Sequence, residues 1–144
     1  MNKKILLSGF GDFVGNMLSD SLKGRMGEMG VTVCKIEKKE YLVPVGLLSS
    51  AAGTGRSALE TAARIPGFGA VRAYEGKELP VRILLFVGFD SEELDQALAV
   101  CRECGIGRND LKAVLTPDNA LWDVLTLCRE LSDEHRMMNP LTQN

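Results

Sequence analysis

Apolar residues along this chain switch repeatedly between two spacings. Lys4–Phe10 (KILLSGF) is a short apolar run closed by glycine, which predicts a buried strand. Val14, Leu18, Leu22, Met26 and Met29 then recur at helical spacing, predicting a helix from about Asp12 to Met29 with Gly30 as its stop. Val31, Val33 and Ile36 with Thr32 and Lys35 predict a second strand. Tyr41–Ser50 is apolar, but Pro44 and Gly46 weaken helix and strand alike. Ser50–Gly55 reads as a loop. Ser57-Ala58-Leu59-Glu60 fits a capping box opening a helix to about Ile65, ended by Pro66-Gly67. Ala70–Tyr74 and Pro80–Val87 flank Glu75–Glu78 as the arms of a hairpin.

Val81–Val87 is the strongest strand in the chain. Asp90-Ser91-Glu92-Glu93 opens a helix with a second capping box; Leu94, Ala97, Leu98 and Cys101 form its stripe and Gly105 its stop. Leu111–Leu115 is the next strand. Thr116 reads as N-cap and Pro117 as first residue of a last helix, striped by Leu121, Trp122, Leu125, Cys128 and Leu131.

The two halves echo one another. Ile5-Leu6-Leu7 with Gly9-Phe10 matches Ile83-Leu84-Leu85 with Gly88-Phe89, and each leads to helix, glycine, strand and a second apolar helical stretch. An internal duplication of βαβα is the reading this supports. Strands joined through helices run parallel with right-handed crossovers. The expected fold is therefore α/β and three-layered, a four-stranded, mostly parallel sheet in the order 2-1-3-4. The hairpin before Val81 would add one antiparallel edge strand. Residues 1–138 are expected to form one domain, with halves 1–49 and 81–136, a connector at 50–80 and a frayed tail at 139–144.

Composition narrows the class. The chain has 144 residues, 45% hydrophobic and 25% charged, ordinary proportions for a soluble domain. Net charge is -2, and the densest basic run, Lys35–Lys39, is broken by Glu37, so no nucleic-acid partner is expected. No segment approaches the roughly 20 apolar residues of a membrane span. Ile5–Leu7 is cut short by Ser8-Gly9, so no signal core follows the opening lysines. Four cysteines without such a signal read as free thiols, which points to the cytoplasm.

Two resemblances follow from particular residues. Gly88-Phe89, Glu93-Leu94-Asp95, Leu98, Gly105-Ile106, Leu111–Thr116, Asn119, Trp122 and Glu134-His135 resemble the bacterial family catalogued as domain of unknown function 3783. That likeness implies a compact bacterial domain and brings no catalytic residues with it. Ile5–Gly15 (ILLSGFGDFVG) is similar to the opening of pyroglutamyl peptidases. The Glu, Cys and His motifs which that activity needs are not found further on, so the activity is set aside.

Candidate chemistry is sparse. Gly9-x-Gly11-x-x-x-Gly15 follows a strand and opens a helix, and Glu37 ends the second strand, the layout of a dinucleotide fold. The spacing is one residue too long, and Asp12 stands where phosphates would sit. A tight strand-to-helix turn is the competing explanation. Ser50–Ser57 (SAAGTGRS) lacks the first glycine and the lysine of a P-loop; Arg56 and Ser57 remain as a weak anion site. Cys101-Arg102-Glu103-Cys104 lies at a helix C-terminus, where a thiolate is disfavoured, so these cysteines read as core. His135 is the only histidine and reads as a partner of the last helix's dipole. Lys112 starts its strand and reads as structural, and Trp122 as core. Neither a metal nor a cofactor is expected.

The function expected is that of a non-enzymatic binding or regulatory protein. Its small polar ligand would sit outside the strand carboxyl ends, where Gly9, Phe10, Gly11 and Asp12 face Gly88, Phe89 and Asp90, with Thr116 and Asn119 on the same rim. The partners expected are that ligand and a second copy of the chain as a homodimer. The alternatives are a Rossmann-like nucleotide-binding or hydrolytic enzyme, and an interaction module using Trp122 and Tyr41–Leu48.

Overall fold

Two glycines with nearly the same backbone conformation mark the plan of the molecule: Gly9 at φ +81° and Gly88 at φ +83° each end a strand and start a turn into a helix. The computed structural model describes residues 2–63 and 71–138. The elements are β1 (Lys3–Ser8), α1 (Phe13–Glu28), β2 (Val31–Lys35), a 3-10 turn (Lys38–Glu40), α2 (Val45–Ala51), α3 (Ala58–Ala63), β3 (Ile83–Val87), α4 (Ser91–Glu103), β4 (Leu111–Val114) and α5 (Val124–Met138).

The sheet order is β2-β1-β3-β4, as the alternation of strands and helices predicts. β1 runs parallel to β2, with Lys3 opposite Val31, and β3 runs parallel to β4, with Ile83 opposite Leu111. The central pair is antiparallel, running from Lys4 opposite Val87 to Ser8 opposite Ile83. This corrects the expectation that the first and third strands run the same way. The crossover rule governs strands joined by a single helix, β1 to β2 and β3 to β4. The long connection from β2 to β3 lies outside that rule, so the second half enters the sheet reversed.

Leu6 lies opposite Leu85, its counterpart when Gly9-Phe10 is aligned on Gly88-Phe89. The halves are thus related by a half-turn about an axis through that pair, and α1 and α4 share one face of the sheet. There Ile5, Leu7, Leu84 and Phe86 pack with Leu22 and Met26 of α1 and Ala97 and Cys101 of α4. On the other face Leu6, Ile83 and Leu85 pack with Val45 and Leu48 of α2, Ala58 and Ala62 of α3, and Val124 and Leu127 of α5. Successive strand residues point to opposite faces, so strands covered on both sides read as unbroken apolar runs.

The helices start from matching caps. Asp12 accepts a hydrogen bond from the Gly15 amide at 2.7 Å, and Asp90 accepts one from the Glu93 amide at 2.8 Å, which Glu93 returns to the Asp90 amide at 3.0 Å. The predicted second capping box is therefore present. Inside α1, Gly24 and Gly27 have nothing within 4 Å of where a Cβ would stand. Each costs a helix interior about 1 kcal/mol relative to alanine, with no packing among the described residues to explain it.

Three local expectations need correcting. Thr116-Pro117 does not open the last helix: the backbone turns over 117–122 and α5 starts at Val124. The carbonyls of Ala120 and Trp122 accept hydrogen bonds from Gly46 and Val45, which holds this stretch out of a helix, and Asp123 caps α5 through the Thr126 amide. The ambiguous Tyr41–Ser50 stretch contains α2, with Pro44 before its first turn, where its missing N–H costs nothing. No residue from 71 to 82 is in a strand, so the edge hairpin is not formed among the described residues. Ala70, Ile65 to Gly67 and the tail 139–144 lie outside them. No helix among the described residues is long and apolar enough to cross a membrane.

Candidate ligand-binding site

Antiparallel pairing of β1 with β3 divides the expected site residues between two rims. Gly9, Phe10, Gly11 and Asp12 leave β1 beside the start of β3; a Cβ on Gly9 would stand 2.6 Å from the Val81 carbonyl oxygen. Gly88, Phe89 and Asp90 leave β3 beside the start of β1; a Cβ on Gly88 would stand 2.9 Å from the Asn2 carbonyl oxygen. Thr116 and Asn119 follow β4 and lie on the second rim. The two glycine turns therefore do not face one another, and the single pocket expected between them does not exist. The reason is strand direction.

On the second rim the polar groups satisfy each other. Asn119 is buried; its side chain accepts from the Thr116 amide at 2.9 Å and donates to the Val114 carbonyl at 2.9 Å, while its amide donates to the Thr116 hydroxyl at 3.2 Å. Both residues close a turn. Phe89 packs edge-on against Phe86.

On the first rim the turn gains partners the sequence did not single out. The Gly9 amide donates to the Tyr41 hydroxyl at 2.9 Å, and that hydroxyl donates to Glu78 at 2.6 Å. Tyr41 is 1% exposed, and burial, followed by the bond to Glu78, raises its phenol well above the ordinary value. Arg82, immediately before β3, reaches Asp12 at 3.8 Å and Asp110 at 3.4 Å. Both distances exceed those of a well-formed charge-assisted hydrogen bond, about 2.7–2.9 Å. The Arg82 Nε is buried and has no hydrogen-bond partner among the described residues. Gly9, Asp12, Glu78, Arg82, Asn109 and Asp110 line a cleft of about 260 Å³ at this rim. One cation thus stands among three carboxylates, incompletely paired. A ligand suited to it offers an acceptor to Arg82 and donors or positive charge to the acids.

The glycine-rich turn itself is closed. The Asp12 carboxylate occupies the first turn of α1, where a pyrophosphate would have to bind. Gly15 is there for packing, since its Cβ would meet Asp12 Oδ1 and the Phe10 carbonyl at 2.6 Å. Glu37 pairs with Lys39 at 3.3 Å and takes part in the capping box of the 3-10 turn.

Arg56 and Ser57 line a separate cleft of about 340 Å³, together with Lys35, Glu37, Lys39 and Glu40. A carboxylate already sits there: Glu40 accepts from the Ala58 amide at 3.3 Å, at the start of α3. Glu60 stands in the first turn of the same helix. Lys112 donates to the carbonyls of Gly107 and Asp110 at 3.1 Å, a structural tie. Cys101 is fully buried, and burial pushes its thiol up to about 11; burial likewise raises Cys128. Among the described residues no cluster of His, Cys, Asp and Glu could hold a metal ion. Trp122 is half-buried against the core, and Tyr41, Val43, Val45 and Leu48 are core residues, so these do not form the exposed interaction surface considered above.

Tyr41, Glu78, Arg82 and Asp110 were not legible as a site. They are far apart in sequence, and only the reversal of β3 brings Arg82 beside Gly9. No curated protein matches this chain, and no solved structure does. Residues 82–138, from Arg82 through β3, α4, β4 and α5, match the family described as Domain of unknown function (DUF3783), so the second half of the chain is similar to that family.

Proposed function

We propose that this protein is a non-enzymatic binding or regulatory module whose ligand is a small polar molecule seated at the carboxyl end of β1. The observation that carries this reading is Arg82: its guanidinium hangs between Asp12 and Asp110 at 3.8 and 3.4 Å, with its buried Nε unpartnered, at the mouth of a cleft. The Arg82 side chain is a quarter exposed, and an acceptor on a ligand would give its guanidinium the short bond that neither aspartate makes. The surrounding Asp12, Glu78 and Asp110 favour a ligand that also carries an amine, such as a free amino acid.

The enzymatic alternatives draw less support. Asp12 blocks phosphate at the turn a nucleotide would use, and the raised thiols of Cys101 and Cys128 are protonated at neutral pH. Free thiols also suit a cytoplasmic setting. The matching halves, paired through Leu6 and Leu85, support an origin by duplication of one βαβα unit.

Titration with individual amino acids, followed by amide chemical shifts, tests the site. The expected result is shifts centred on Gly9, Gly11, Arg82 and Asn109, with Arg82→Gln weakening binding about tenfold or more, equivalent to about 1.4 kcal/mol, and leaving the fold intact. Shifts centred on Gly88–Asp90, or none with any amino acid, would contradict it.

A further inference from the structure

Of the large hydrophobic residues exposed among the described residues, three fall on the first two turns of α1: Phe13 at 79%, Met17 at 58% and Val14 at 51%. At 3.6 residues per turn, Phe13, Met17, Ser21, Gly24 and Glu28 form one stripe. It lies directly opposite the buried Gly15, Ser19, Leu22 and Met26. The N-terminal half of this outward stripe is bulky and apolar. The C-terminal half has open space at Gly24 and borders a shallow cleft of about 460 Å³ between α1 and α4, lined by Asp20, Ser21, Gly24, Glu28 and the Arg25–Glu103 ion pair.

A knob and a hollow on the same helix face fit each other across a two-fold axis. We propose that this face is the contact between two copies of the chain, with α1 packed antiparallel on its partner and Phe13 and Met17 of each covering the Gly24 hollow of the other. Small residues let helix backbones approach closely, which gives the otherwise unexplained Gly24 a role.

Charge agrees with this register. With the axis passing between residues 20 and 21, Asp20 of one copy and Lys23 of the other share a flank and are offset by about two residues, or about 3 Å. Neither forms an ion pair among the described residues, so two intermolecular pairs are available. A single helix pair buries modest area, so the dimer is one that dissociates at low concentration.

Sedimentation velocity over a concentration series tests this, with circular dichroism confirming the fold of each variant. The wild type is expected to shift from monomer to dimer as concentration rises. Met17→Glu and Gly24→Gln should each weaken the dimer about tenfold or more, although glutamine favours the helix itself. Asp20→Lys should weaken it, and Asp20→Lys with Lys23→Asp should restore it. A wild type that stays monomeric throughout, or a dimer indifferent to both Met17→Glu and Gly24→Gln, overturns the proposal. Neither outcome bears on ligand binding at Arg82, which is read separately.

Discussion

Gly9 and Gly88 carry the same conformational demand for the same reason: a strand must turn at once into a helix beside another backbone. A side chain at Gly9 would be strained at φ +81° and would meet the Val81 oxygen at 2.6 Å. Gly9→Ala should therefore cost on the order of 2–3 kcal/mol of stability, measured by chemical denaturation. Cys101 makes a second prediction at this scale. Its thiol is raised from an ordinary 9.0 to about 11 by burial. The unfolded chain then loses this proton before the folded one does. Stability contributed below pH 9 is lost as pH rises toward 11, by about 2 kcal/mol, and the raised Tyr41 phenol extends the loss above pH 10. Denaturation across that range should fall less steeply for Cys101→Ala; an unchanged slope would contradict the assignment.

Among elements, what the sequence made legible was what short-range pattern encodes. The strand order, α1, α4 and the Asp90 cap follow from apolar spacing and capping residues. The start of α5 was not legible, because the carbonyls of Ala120 and Trp122 are held by Val45 and Gly46, a contact no local pattern announces. Asn119 fixes the turn that replaces the expected helix start. Asn119→Ala removes bonds to Thr116 and Val114 in a buried site and should cost about 1–3 kcal/mol, read by thermal or chemical unfolding. A loss within a few tenths of a kcal/mol would mean the turn is held from elsewhere.

For the whole molecule, one fact of direction decides where function can reside. Had β1 and β3 run parallel, the two glycine turns would share a rim and form one pocket. Because they oppose, each half carries its own rim. The first rim acquires Arg82 and Asp110 from the second half and Tyr41 and Glu78 from between them. The glycines were visible in the sequence, but their partners depended on a strand direction that spacing does not specify. Nuclear Overhauser contacts between backbone protons of β1 and β3 test this most directly. The account predicts contacts of Lys4 with Val87, Ser8 with Ile83 and Gly9 with Arg82. Contacts of Lys4 with Ile83 and Ser8 with Val87 would contradict it, and the Arg82 site with it.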